Sequence, residues 1–310
     1  MKQIVVSAPG KIHLMGEHAV VYGKPALLSA VNLRTTVSLL EYTSFEILSD
    51  EPDEYIRHAV SVVCENLKKK IPPVRLIISS TILSGYHLGS SAAIAVSVVG
   101  ALYYYLTNTW DLEKINALAY EVEKNMHGNP SGGDNTTVTY GGYVLYQKKS
   151  ETEKVFEKLN FSMLKSLDHF YLIDTGRPKE NTGFMVALVR KQYEKNPKKY
   201  SEFFDTNEKQ VDRIVHALKT GDEKIIIDAI QKGEQTLEDM GVVSKKVKPL
   251  IRAIEKNGGA AKILGGGGKA DGVGFLLCYS KEKEKMRKLS LEYGYAIKDV
   301  ELGKEGVRLE

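Results

Sequence analysis

An α+β protein in two domains is what this sequence predicts, on three observations. Strand-like and helix-like segments alternate irregularly along the 310 residues, without the regular βαβα rhythm of a doubly wound sheet. Helical patterns collect in the second half, where four amphipathic segments follow one another between Asn181 and Asn257. A charged stretch, Lys148–Lys158, interrupts the apolar patterning and reads as a surface connection. It places the boundary between a first domain, 1–155, and a second, 156–310.

The elements follow in order. Ile4–Val6 is a β-branched run, and Val31–Leu40 and Phe45–Leu48 are further apolar strand patterns. Asp53–Lys69 has helical spacing, and Val74–Ser80 places Val74, Leu76 and Ile78 on one side of a strand. Helices are expected over Ser91–Leu106 and Leu112–Lys124, then a strand pair around Val138–Gln147, broken by Gly141-Gly142. The second half opens with a strand, His169–Asp174, before its four helical segments. It closes with strands at Ala261–Leu264 and Val273–Tyr279, a helix over Lys281–Tyr293 and a strand at Ala296–Glu301. There is no internal repeat or low-complexity tract.

Composition is that of a globular protein, with 43% hydrophobic and 26% charged residues. A net charge of +4, spread over dispersed side chains, argues against nucleic acid as a partner. The short run Lys68-Lys69-Lys70 reads as a helix end whose cations complement the dipole. Ala92–Leu106 is the most apolar helical stretch, but it falls short of the ~20 residues of a membrane span, so no membrane partner is expected. Cys64 and Cys278 both lie in apolar patterns and read as buried free thiols. The N-terminus starts on a strand pattern without a signal-peptide layout, so a cytoplasmic location is the expectation.

Chemistry concentrates in four segments. Ser7-Ala8-Pro9-Gly10-Lys11 closes the first apolar run and is followed by Gly16-Glu17-His18-Ala19-Val20-Val21-Tyr22-Gly23. Leu88-Gly89-Ser90-Ser91-Ala92-Ala93 leads from a strand into the long apolar helix. Met126-His127-Gly128-Asn129-Pro130-Ser131-Gly132-Gly133-Asp134-Asn135 packs a helix end, a glycine turn and a lone carboxylate into ten residues. Gly265-Gly266-Gly267-Gly268 follows a late apolar stretch.

A small-residue turn at a helix start aims free backbone N–H groups at an anion, which suits Gly89-Ser90-Ser91 to a polyphosphate; serines there are equally good N-caps. It is not a Walker A loop, because the one Gly-Lys pair after a glycine run, Gly268-Lys269, is followed by Ala270. Asp134 reads either as an Asx-capped turn or as a carboxylate facing a cleft. From the residues alone, Glu123 is an exposed helix glutamate, His18 a satisfied structural histidine, Asn181-Thr182 a helix cap, and Lys11 a surface lysine.

Taken together, the four segments resemble the GHMP small-molecule kinases. The Ala-Pro-Gly-Lys with Gly-Glu-His segment and the His-Gly-Asn-Pro-Ser-Gly segment resemble the mevalonate kinases within them. Galactokinases carry an aspartate soon after Gly-Glu-His, where Ala19-Val20-Val21 stands here. The resemblance implies an N-terminal α+β domain, a C-terminal ferredoxin-like domain and an active-site cleft between them. It implies ATP as phosphate donor, mevalonate as acceptor in isoprenoid precursor synthesis, Mg²⁺ as cofactor, and small molecules as the partners, with a homodimer allowed.

By the same resemblance, Asp134 is the catalytic base and Lys11 the neighbouring cation. ATP falls to Gly85, Leu88, Gly89, Ser90, Ser91, Ala92, Gly265, Gly266 and Gly267. Mg²⁺ falls to Ser91 and Glu123, and the acceptor to Lys11, Glu17, His18, Asp134 and Thr182. Alternatives are a phosphomevalonate or sugar kinase of the same superfamily, or a kinase-fold binding protein without turnover.

Two departures from the family pattern stand out. His87 occupies a glycine position in Leu83-Ser84-Gly85-Tyr86-His87-Leu88, and Lys262-Ile263-Leu264 precedes the glycine run where a threonine is typical.

Overall fold

The computed structural model describes residues 3–127, 130–150, 153–161 and 164–310. Gly128, Asn129 and the His127 side chain, the centre of the His-Gly-Asn-Pro-Ser-Gly motif, lie outside the described residues.

The first sheet is built on two long antiparallel strands, β1 (Gln3–Met15) and β2 (Ala26–Glu41). Strand β2 is shared. Its second half pairs with β4 (Val74–Ser80), which carries the parallel strand β3 (Glu46–Leu48), and its first half pairs with β5 (Tyr143–Lys148). The pairing of β1 with β2 slips between Pro9 and Lys11. Proline has no N–H to give to the ladder, so this is where a bulge costs least, and a bulge re-aims the side chains beside it.

Four helices cover one face of this sheet: α1 (Asp53–Asn66), α2 (Ser90–Thr107), α3 (Leu112–His127) and α4 (Gly133–Tyr140). Helix α2 is buried along most of its length against β1, β2 and its neighbouring helices. It is the one helix among the described residues that is long and apolar enough to cross a bilayer by length and composition, and here it forms the centre of the core. The lysine run directly follows α1, and one of its members, Lys69, donates through Nζ to the Leu106 carbonyl at 2.5 Å, so that lysine complements the C-terminus of α2.

The second sheet has the order β10-β7-β9-β8 and is antiparallel throughout. Its strands are β7 (Phe170–Asp174), β8 (Ala260–Ile263), β9 (Phe275–Tyr279) and β10 (Ala296–Asp299). Between β7 and β8 run the four expected amphipathic helices, α5 (Thr182–Lys195), α6 (Pro197–Thr220), α7 (Glu223–Met240) and α8 (Lys248–Lys256); α9 (Lys283–Glu292) joins β9 to β10. This is the ferredoxin-like order, and with the first sheet it makes an α+β protein.

Two expectations are corrected. Val138–Tyr140 is helical, forming the end of α4, and only β5 survives of the strand pair. The β-branched run Thr136–Thr139 is buried against the helices and β1, and Thr137 Oγ1 donates to the Gly133 carbonyl at 2.8 Å, so tertiary burial and local back-bonding override its strand preference. The charged stretch read as a connection contains β6 (Lys154–Leu159), which pairs with β5 along its length and stacks Phe156 on Tyr146 at 5.0 Å. The first sheet therefore continues to Leu159. It also recovers the chain end, where β11 (Arg308–Leu309) pairs with Val6 and Ser7.

Candidate active site

Lys11 lies within β1 just after the bulge, and its backbone N–H donates to the Leu88 carbonyl at 2.9 Å. That bond seats the Leu83–Ser91 loop directly on the strand. Gly89 makes the approach possible: it has φ 73°, and a Cβ there would lie 2.8 Å from Lys11 Cγ. With Gly89 as its N-cap and no side-chain cap, α2 begins with free N–H groups.

Opposite stands Asp134, in the first turn of α4. The sequence reading put it in a turn; the turn proper is Gly132, whose φ of 85° starts the helix. Lys11 Nζ and Asp134 Oδ1 are 3.0 Å apart, with the lysine side chain 5% and the aspartate side chain 36% exposed. The cation is held in the wall while the carboxylate looks into a cavity of about 840 Å³.

Most of the expected residues line this one cavity. Gly85, Leu88, Gly89, Ser90 and Ser91 form one side, and Gly265 and Gly266 face them from the second sheet. Glu17, His18, Glu123 and Thr182 complete it with Lys11 and Asp134. Ala92 and Gly267 are set behind the surface: Ala92 packs in the core, and a Cβ on Gly267 would meet the Val242 carbonyl at 2.3 Å. The cap reading of Asn181-Thr182 divides between the two residues. Asn181 accepts from Phe184 N at 2.8 Å as N-cap of α5, which leaves Thr182 free to face the cavity.

Glu123 is buried, contrary to the reading of its residue type as exposed. One carboxylate oxygen accepts from the Tyr55 hydroxyl, and the other from Ser91 Oγ at 3.3 Å. Among the described residues there is no cluster of three or more His, Cys, Asp or Glu able to cage a metal. Ser91 and Glu123 offer two hard oxygen donors at the start of a helix, a set that fits Mg²⁺, which keeps most of its shell for water and phosphate.

His18 has φ 59°, an uncommon conformation for a residue with a Cβ, and its Nε2 donates to the Gly266 carbonyl at 3.2 Å. Burial pushes this imidazole down to about 4, so it is neutral near pH 7. His87 points inward. It has φ 64°, its ring lies against Gly265, and burial, with Lys11 nearby, again holds it down to about 4. The two glycine-rich loops are thereby in contact through one imidazole.

Sequence reasoning missed Tyr55, His13 and Lys262. His13 lines the cavity two residues after Lys11, so the period-two rule along β1 was the available signal. Tyr55 carried none; its hydroxyl meets Glu123 only because α1 and α3 pack together.

The comparisons with known proteins agree with this geometry. The family model for the GHMP kinases N terminal domain matches residues 54–142. A galactokinase galactose-binding signature matches residues 1–39, the segment that holds Lys11 and Glu17. The mevalonate kinase of Archaeoglobus fulgidus is 34% identical, over 99% of this chain and 100% of the relative. That of Pyrococcus furiosus is 30% identical, over 99% and 98%. The crystal structure of the Methanococcus jannaschii mevalonate kinase superposes with a TM-score of 0.81 at 22% identity, covering 98% of this chain and 99% of that one, a likeness of fold. The chain belongs to the mevalonate kinase family, within the GHMP kinase fold.

Proposed function

We propose that this protein transfers the γ-phosphoryl group of ATP to the 5-hydroxyl of (R)-mevalonate. The observation that carries the reading is the Lys11–Asp134 pair at 3.0 Å, set in a cavity between a helix N-terminus and a second glycine turn. The acceptor oxygen attacks the γ-phosphorus as the bridging bond to the β-phosphate breaks. ADP leaves with the bridging oxygen, and the hydroxyl proton passes to Asp134. Lys11, held in the wall, stabilises negative charge on the transferring group. Ser91 and Glu123 would hold Mg²⁺, which neutralises phosphate charge when it is bound with the nucleotide.

Family membership supports mevalonate over other alcohols, and so does the absence of an aspartate after Gly16-Glu17-His18. Glu17 also disfavours a phosphorylated acceptor, whose second anion would meet a buried carboxylate. We place the enzyme in the cytoplasm, which supplies ATP. A coupled ADP-release assay with mevalonate, phosphomevalonate and galactose tests the reading. Mevalonate is expected to give the highest kcat/KM, and equal or better turnover of either competitor would overturn the acceptor assignment.

A further inference from the structure

Beside the catalytic pair, the fold buries a second set of ionisable groups, of which the proposed chemistry uses only Glu17. Lys262, on β8, has a side chain 0% exposed and forms an ion pair with Glu17 Oε1 across the gap between the two sheets. It also donates to the carbonyls of His13 at 3.2 Å and Ile263 at 2.7 Å, so all three ammonium protons are committed. Glu234, on α7 and fully buried, accepts through Oε2 at 2.9 Å from the N–H of Ile263, the residue whose carbonyl takes a Lys262 proton. Buried ion pairs are a poor way to gain stability, because apolar residues of similar size do as well without the desolvation cost. Orientation is the better account of three ionisable groups removed from water here.

What is oriented is the Glu17-His18 turn. Two adjacent residues of the first domain are tied to one short segment of the second: Glu17 to Lys262, and His18 to the Gly266 carbonyl. The ties hold His18 at its unfavourable positive φ. They also leave two buried polar atoms without protein partners, Glu17 Oε2 and His18 Nδ1. With Nε2–H donating to Gly266, a neutral His18 presents Nδ1 as an acceptor, so the held turn offers two acceptors side by side.

We propose that Lys262 is a positioning residue of the acceptor site: it clamps the Glu17-His18 turn so that Glu17 Oε2 and His18 Nδ1 receive hydroxyl protons of a polyhydroxylated acceptor. The inference rests on the phosphotransferase reading above and adds a residue whose own side chain does not line the cavity.

Steady-state kinetics on Lys262→Met separate positioning from a merely structural role. With the clamp gone, KM for the acceptor should rise about tenfold or more, the loss of one hydrogen bond to a charged group, while KM for ATP stays within twofold. A purely structural role would lower the melting temperature and the active fraction and leave both KM values alone. The pH profile of kcat/KM for the acceptor is a second readout. The charged and titratable groups around Glu17 are Lys11 of β1, its chain neighbour His18, Lys262 of β8 and Glu234 of α7. Burial already holds the Glu17 carboxyl above its ordinary range and Lys262 opposes that rise, so without Lys262 the limb in which activity falls as Glu17 takes up a proton should move to higher pH.

Should Lys262→Met fail to fold, Lys262→Arg keeps the charge and loses the three-way fit, and a several-fold rise in acceptor KM alone is expected. An acceptor KM within twofold of the parent in the folded variant overturns the proposal. If the parent enzyme prefers another alcohol to mevalonate, the same split is read with that alcohol, so failure of the acceptor assignment stays distinct from failure of the clamp.

Discussion

Replacing Asp134 by asparagine keeps the shape of the side chain and removes its charge and its proton affinity. The effect on rate and the effect on stability should separate widely. Loss of a general base lowers turnover by about 10²–10⁴-fold, which corresponds to about 3–5 kcal/mol of barrier. Stability should change far less. The Asp134 side chain is 36% exposed, so solvent screens its pair with Lys11 despite the lysine's burial. Such a pair is worth about 1 kcal/mol at most, a fall of a few degrees in melting temperature for a chain of this size. ATP KM should hold within about threefold, since the carboxylate does not cradle the nucleotide. A coupled ADP-release assay read beside a thermal melt decides it. A variant within a few-fold of the parent rate would remove Asp134 from the chemistry, and a collapse in melting temperature would make it structural.

Three further outcomes follow from the same geometry. Ser91→Ala, which leaves Glu123 bonded to Tyr55, should raise the Mg²⁺ concentration for half-maximal rate by about tenfold, the worth of one ligand contact; an unchanged Mg²⁺ titration would take Ser91 out of the metal site. His87→Gly should raise KM for ATP and leave KM for mevalonate unaltered, because the inward ring joins the two loops of the donor side; an unaltered ATP KM would refute that contact. Stability should peak near pH 6.5. His18 and His87 both titrate in the folded state at about 4 against an ordinary 6.5, so over that window the unfolded chain binds more protons and stability rises with pH by up to ~1.4 kcal/mol per unit for each group. Glu234, pushed up to about 8 chiefly by burial, acts oppositely, as does Glu17, which burial also raises: between 4.5 and 8 the folded state binds Glu234's proton more tightly, so stability declines as pH rises and above 6.5 only this carboxyl limb remains. Urea unfolding from pH 5 to 9 checks the curve, and Glu234→Gln should flatten the alkaline limb; a peak above pH 8 would contradict the assignment.

Local pattern carried most of the fold into view. The helical period of the four segments between Asn181 and Asn257 and the alternation in Val74–Ser80 each produced the expected element. Helix α4 was hidden because Thr136–Thr139 has the composition of a strand, and only its burial against α2, α3 and β1 makes it helical. Strand β6 was hidden because it is an exposed edge strand, and an edge carries charge as readily as a loop does. At the site, segments that bring their own turn chemistry were legible: Pro9-Gly10-Lys11, Gly89-Ser90-Ser91, Gly132-Gly133-Asp134 and Gly265-Gly266. Tyr55 and Lys262 were not. Their roles arise from contacts between residues 68 and 245 positions apart, which no local pattern encodes.

The position of the new phosphate ester tests the central claim most directly. Phosphorus NMR of the product formed from ATP and mevalonate distinguishes the two hydroxyls, because a phosphate on the primary 5-carbon couples to two neighbouring protons and one on the tertiary 3-carbon couples to none. The account predicts a proton-coupled triplet that appears in step with ADP. A singlet, or ADP release without any mevalonate ester, would contradict it.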